Sequence, residues 1–117
     1  VPTFMMEAAR VALSCDDSVM EFNQEYRKRR VMMRDGLSAL PGIRVVEPEG
    51  AFYIFADITG TGMSDTEFAD GALEAGVQLI PASLVTGGEG FIRVSYATGE
   101  EAIEEGLGRL RNWLLDE

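Results

Sequence analysis

Histidine does not occur among the 117 residues, and cysteine and lysine occur once each, as Cys15 and Lys28. A lone cysteine excludes an internal disulfide and any thiolate metal cluster. Without histidine, Ser-His and Cys-His nucleophile pairs and imidazole metal sites are excluded as well. Apolar runs are short, far below the ~20 residues needed to cross a bilayer. The first residues, Val1-Pro2-Thr3, carry neither a basic leader nor a small-residue cleavage site, so a soluble, cytoplasmic protein is expected. Positive charge is scarce, with 10 Lys and Arg against 20 Asp and Glu and a formal net charge of −10. That balance repels nucleic-acid phosphates and anionic lipid heads, so neither nucleic acid nor membrane is expected as a partner.

What is present has the profile of a single folded domain. Hydrophobic residues make up 46% and charged residues 26%, which separates the chain from disordered and fibrous sequences, and its length allows one core. Val19, Phe22, Tyr26, Met33, Leu37 and Leu40 recur in steps of three and four or their multiples, the stripe of a long helix. Ser18 and Glu21 form a capping-box pattern at its start, and Pro41-Gly42 ends it. The run Arg27-Lys28-Arg29-Arg30 falls inside this helix and is expected to form a solvated or partner-facing surface rather than an anion site. Ahead of it, Thr3 is placed to cap a shorter helix carrying Phe4, Ala8, Val11 and Ala12 and ending near Cys15-Asp16-Asp17. A chain that opens directly on a helix cap is expected to be a piece of a longer protein.

Further along, two strands are predicted at 43–47 and 51–58, joined as a hairpin through Pro48-Glu49-Gly50. Ser64 and Glu67 open a helix bearing Phe68, Ala72 and Leu73, which Gly76 closes in the left-handed conformation. A strand at 77–80, ended by Pro81, and another at 91–97 follow, and Thr98 with Glu101 caps a last helix with the stripe Ile103, Leu107, Leu110 and Leu114. The predicted fold class is α+β, a two-layer sandwich with helices packed on one face of a mixed or antiparallel sheet.

Few residues offer chemistry. Asp57 follows an apolar strand and has the form of a general base, but no partner for it is identifiable, and a strand-ending turn residue is the safer reading. Gly87-Gly88-Glu89-Gly90 leads into a strand instead of opening a helix, so it reads as a turn and not as a phosphate cradle. In Phe91-Ile92-Arg93-Val94-Ser95-Tyr96-Ala97, alternation puts Ile92, Val94 and Tyr96 on one face and Arg93 and Ser95 on the other. Pattern alone leaves two readings of Arg93. One is an arginine on the solvated face of an antiparallel sheet. The other is a guanidinium that takes a carboxylate through two parallel N–H···O bonds, a fork that lysine cannot reproduce.

Three ordered pieces then carry a family resemblance: Pro48-Glu49-Gly50-Ala51-Phe52-Tyr53-Ile54-Phe55, Ala75-Gly76-Val77 through Pro81-Ala82-Ser83, and Gly88-Glu89-Gly90-Phe91-Ile92-Arg93-Val94-Ser95-Tyr96-Ala97. With Glu101, Ile103, Gly106 and Leu110 of the last helix, the chain resembles the C-terminal small domain of the class I/II, fold-type I aminotransferases over residues 1–117. The resemblance implies a substrate-binding domain of an enzyme that transfers an amino group between an amino acid and a 2-oxo acid, working as a homodimer. It implies Arg93 as the residue that binds the substrate α-carboxylate.

It further implies pyridoxal 5'-phosphate in the full-length enzyme. The cofactor-binding lysine, the aspartate at the pyridine nitrogen and most phosphate ligands would lie in the missing large domain. This chain alone is therefore expected to bind no cofactor and to be inactive. Lys28 matches none of the family's cofactor residues. Where the family usually has Pro-Gly-Ser, this chain has Pro81-Ala82-Ser83, followed by Leu84-Val85 in place of the frequent aromatic. Carbon–sulfur lyases and aminotransferase-like transcription regulators share such a domain and are the alternatives.

Overall fold

A computed structural model describes residues 1–116. Helices α1 (Thr3–Ala12) and α2 (Asp16–Ser38) lead into strands β1 (Arg44–Val45) and β2 (Tyr53–Asp57), and a short 3-10 turn precedes α3 (Asp65–Glu74). Then come β3 (Ile80–Pro81), the single turn α4 (Ser83–Thr86), β4 (Phe91–Ser95) and α5 (Glu100–Leu115). The four strands form one sheet in the order β1-β2-β4-β3, and every pairing is antiparallel. This is the expected α+β sandwich, with the sheet antiparallel throughout.

The period-two alternation of β2 and β4 divides the sheet into two unlike faces. Ile54 and Ala56 from β2 and Ile92 and Val94 from β4 are buried, and they share one core with Met33 and Leu37 of α2, Phe68 and Ala72 of α3, and Ile103 and Leu110 of α5. Each large side chain so buried contributes about 1.5–3 kcal/mol relative to exposure. Phe68 and Trp113 meet edge to face, their centroids 5.0 Å apart, which ties α3 to α5.

Local signals set several boundaries. At the start of α3 the Ser64 side chain accepts from the Glu67 N–H while the Glu67 carboxylate accepts from the Ser64 N–H, the reciprocal pair of a capping box. Its other end is a Schellman motif: Val77 N–H bonds to Ala72 O and Gly76 N–H to Leu73 O, with Gly76 at φ 84°. The other two expected capping boxes do not form. Helix α2 already begins at Asp16, so Ser18 lies within its first turn, where Asp16 and Asp17 complement the positive end of the helix dipole. In α5 the N-cap is Gly99, which leaves Thr98 outside the helix. Likewise α1 starts at Thr3 itself, and Pro2 occupies the N-cap.

All four strands differ from expectation: β2 and β4 are trimmed to Tyr53–Asp57 and Phe91–Ser95, and the other two change more. The first strand is only Arg44–Val45. The third falls at Ile80–Pro81 rather than 77–80, because its partners Arg93 and Ile92 on β4 select those residues. Proline is tolerated there because β3 is an edge strand. Of the long stripe, Met33, Leu37 and Leu40 are buried and Tyr26 is half-buried, but Val19 and Phe22 remain 60% and 64% exposed. No residue of α1 is buried.

Candidate functional site

Arg93 projects from the face of the sheet opposite the helices. It lies across from Phe55 on β2 and Ile80 on β3, flanked along its own strand by the buried Ile92 and Val94. The backbone that carries it is the central pair of the sheet, which fixes its root on a rigid element. Its side chain makes no ion pair and donates no hydrogen bond to any of the described residues. Instead the guanidinium carbon sits over the ring of Tyr53, 5.0 Å from the centroid. The fork of donors that pairs with a carboxylate is thus uncommitted.

The carboxylates of the chain that combine burial with geometry are used for structure. Asp57 closes β2 by accepting from the Thr59 hydroxyl at 2.6 Å and the Thr59 N–H at 3.0 Å, and it pairs with Arg44 Nη2 at 2.6 Å. The Thr59 hydroxyl first, then its N–H, then Arg44 lower the Asp57 pKa from the ordinary 3.8 to about 2. A carboxylate so engaged is a poor proton acceptor near neutral pH, and Asp57 serves as the strand-ending turn residue. Asp65, at the start of α3, accepts from Ser83 N–H at 2.8 Å, and hydrogen bonds from Ser83 hold its pKa below the usual range. That contact pins the Pro81-Ala82-Ser83 segment, while the following Leu84 and Val85 are exposed.

The residues of this chain do not by themselves form a site for the pyridoxal phosphate that the family resemblance implies. An imine-forming lysine needs a neutral amine in an apolar setting. Lys28 instead is 66% exposed on α2, with Nζ 3.3 Å from the Glu100 carboxylate. The two buried aspartates that could face a pyridine nitrogen are already paired, as described above. Among the described residues there is also no group of three or more His, Cys, Asp or Glu side chains able to hold a metal ion, and no helix long and apolar enough to cross a membrane.

The basic run on α2 is partly inward. Arg29 lies 5.6 Å from the ring centroid of Tyr26 on the same helix, and Arg30 donates to Pro48 O at 3.1 Å. With Arg34, one turn further on, which pairs with Glu47 at 2.9 Å, Arg30 straps the turn before β2 onto the helix. Tyr96 adds a second strap from below, its hydroxyl donating to Ala51 O at 2.8 Å, while burial raises its pKa. Ala51 is the one residue other than glycine with positive φ, 64°, among those described. The strapped turn leads directly into Tyr53. Reading the sequence strand by strand missed the contact of Tyr53 with Arg93, because the two residues lie on different strands. The signal was there in the alternation of β2, which puts Tyr53 and Phe55 on the same face as Arg93 once the two strands are paired.

Comparison with known proteins is consistent throughout. The family model described as aminotransferase class I and II matches residues 1–110. The aspartate aminotransferase of Pyrococcus horikoshii is 41% identical over 119 residues, covering 97% of this chain and 30% of the relative. The aromatic-amino-acid aminotransferase 2 of Thermococcus litoralis is 40% identical over 117 residues, covering 96% and 30%. A crystal structure titled Pyrococcus protein-A1 superposes with a TM-score of 0.90 at 37% identity, over 97% of this chain and 30% of the other. The chain spans about 30% of the length of these relatives. Its sequence from the first helix into the last, and the fold built on it, make the chain a member of the class I and II aminotransferases.

Proposed function

We propose that this chain is the C-terminal small domain of a pyridoxal-phosphate-dependent aminotransferase and that Arg93 binds the α-carboxylate of its amino-acid and 2-oxo-acid substrates. The observation that carries this reading is the uncommitted guanidinium of Arg93 on the uncovered face of the sheet. The two relatives are named for aspartate and for aromatic amino acids, which differ in side chain and share the α-carboxylate. A residue of the common domain suits the common group.

The cofactor supplies the electron-sink chemistry from residues outside this chain. The part of this chain is binding and orientation. A carboxylate held at two points cannot rotate freely, so the substrate presents one chosen bond at Cα to the reacting centre. Covering the open face with the rest of the protein excludes water and strengthens the pair. The bare surface of α1 and the first half of α2, with Phe4, Val19, Met20 and Phe22 exposed, suits the same role of docking against the larger part of the enzyme and its dimer partner.

The test is single-turnover kinetics of the full-length enzyme, using the proteinogenic amino acid it converts fastest and the amine made by removing that substrate's carboxylate. Arg93→Ala removes a charge-assisted bidentate contact, worth about 3–5 kcal/mol when the partner charge is left unpaired. The amino acid should lose roughly two to four powers of ten in kcat/KM, and the amine little. Arg93→Lys should restore only part of the loss, having charge without the fork. Equal losses for both substrates would show that Arg93 does not recognise the carboxylate.

A further inference from the structure

The pairing of β2 with β4 places Tyr53 opposite Ser95 and Phe55 opposite Arg93. Tyr53 is therefore a diagonal neighbour of Arg93, within reach of a long side chain. Ser95 is small and leaves the space over the Tyr53 ring clear, and the Arg93 guanidinium occupies it. The ring is itself held on two sides. Phe52 meets it at 5.5 Å and 88°, and Phe55 at 5.7 Å and 90°, both edge to face, the arrangement that aromatic quadrupoles favour. The Tyr53 hydroxyl makes no hydrogen bond among the described residues, so the ring is what Tyr53 contributes to the cluster.

Those contacts address a difficulty that any arginine on an open face presents. A long, unpaired side chain populates many rotamers, and ordering it when a ligand arrives subtracts from affinity. A neighbouring carboxylate would order it, but it would also occupy the fork and cancel its charge. The face of an aromatic ring attracts the cation through its quadrupole and takes up no acceptor-directed donor.

We propose that Tyr53 is a positioning residue for Arg93, its ring holding the guanidinium in place so that the donors stay free for a carboxylate. This rests on the assignment of Arg93 as the carboxylate anchor. Tyr53 touches neither substrate nor cofactor in this role and acts through Arg93 alone.

The experiment uses the full-length enzyme with the same amino acid and amine as above. Rates are normalised by active-site titration, so that partial misfolding lowers the amount of enzyme and not the ratio between the two substrates. Tyr53→Leu keeps bulk and removes the quadrupole. It should lower kcat/KM for the amino acid by about three- to tenfold, chiefly through KM, and leave the amine unchanged. Tyr53→Phe keeps the ring and should stay within about twofold of wild type. In an Arg93→Ala background, Tyr53→Leu should cause no further loss, because the residue it acts through is gone.

The proposal is overturned if Tyr53→Leu affects amino acid and amine alike, if Tyr53→Phe loses as much as Tyr53→Leu, or if the two losses multiply in the double variant. If Arg93→Ala itself fails to separate the two substrates, the carboxylate assignment fails and this proposal with it. The Arg93 series thus distinguishes failure of the anchor from failure of its support.

Discussion

The two faces of the sheet are built from alternate residues of the same two strands, and they are unlike. On the inner face Ile54, Ala56 and Ile92 are fully buried and Val94 nearly so. These residues share one core with side chains of α2, α3 and α5. On the outer face Tyr53, Phe55 and Arg93 are partly open, and they hold one another through ring and cation contacts rather than through a core. One face therefore secures the fold, while the other presents donors that the fold does not need. Because neighbouring residues of β4 serve such different ends, substitutions one position apart should separate stability from activity.

The sharpest form of that contrast is Ile92→Ala against Arg93→Ala. Ile92→Ala opens a cavity in the shared core and should cost about 2–5 kcal/mol, read as a lower midpoint in urea unfolding of this chain. Arg93→Ala gives up only its contact with Tyr53, so it should shift stability by less than about 1 kcal/mol, while in the full enzyme it shows the large kinetic loss described above. Comparable losses of stability from both variants would erase the distinction between the faces.

A smaller effect belongs to the end of β2, where the inner face gives way to the Asp57 turn. The folded-state pKa of Asp57 lies near 2 and its ordinary value at 3.8. The unfolded chain therefore takes up the proton first. The contribution of Asp57 to stability is complete above about pH 4 and is lost as the pH falls toward 2 and below. Thermal unfolding of wild type should decline through that window, and Asp57→Asn should flatten part of the decline. An unchanged slope in the variant would show that Asp57 is not the group responsible. The smallest expected change lies at the entry to β2. Ala51 holds a left-handed conformation that costs a residue with a Cβ about 1 kcal/mol or more, and glycine adopts it freely but gains entropy on unfolding. The difference should leave Ala51→Gly about 0.5 kcal/mol more stable, a gain checked by the same urea titration. A loss would mean that the straps from Tyr96 and Arg30 already relieve the turn.

The features legible from sequence were those set by near neighbours. The alternation in β4 gave the correct inner and outer sets, since period two follows from strand geometry alone. Ser64 with Glu67 and Gly76 marked both ends of α3, because the residues that make those bonds lie three to five positions apart. The same capping signature failed at Ser18 and Thr98, where helical residues extend further or start later than the pattern marks. It identifies a bond that can form and does not stop a helix from continuing past it. The position of β3 depended on pairing with β4, and the contact of Tyr53 with Arg93 on the pairing of β2 with β4. Neither is visible along a single stretch of chain. Arg93 itself could be placed on the outer face from pattern, but its expected task came from the resemblance, because an unpaired arginine on an open sheet looks the same in sequence whether or not it binds anything.

Helix α2 is one unbroken element of 23 residues, about 34 Å long at 1.5 Å per residue. Its second half is locked into the core and strapped to the turn before β2, while residues 16–25 are all exposed. A rod clamped at one end acts as a lever. If its bare half is gripped elsewhere and tilts by about 5°, the body at the far end swings by about 3 Å over that length. A displacement of that size spans the whole range between a formed hydrogen bond and none. On the proposed assignment of Arg93 as a carboxylate anchor, a slight rotation at the distant end of the helix would engage or release the substrate at the outer face without any deformation of the sheet.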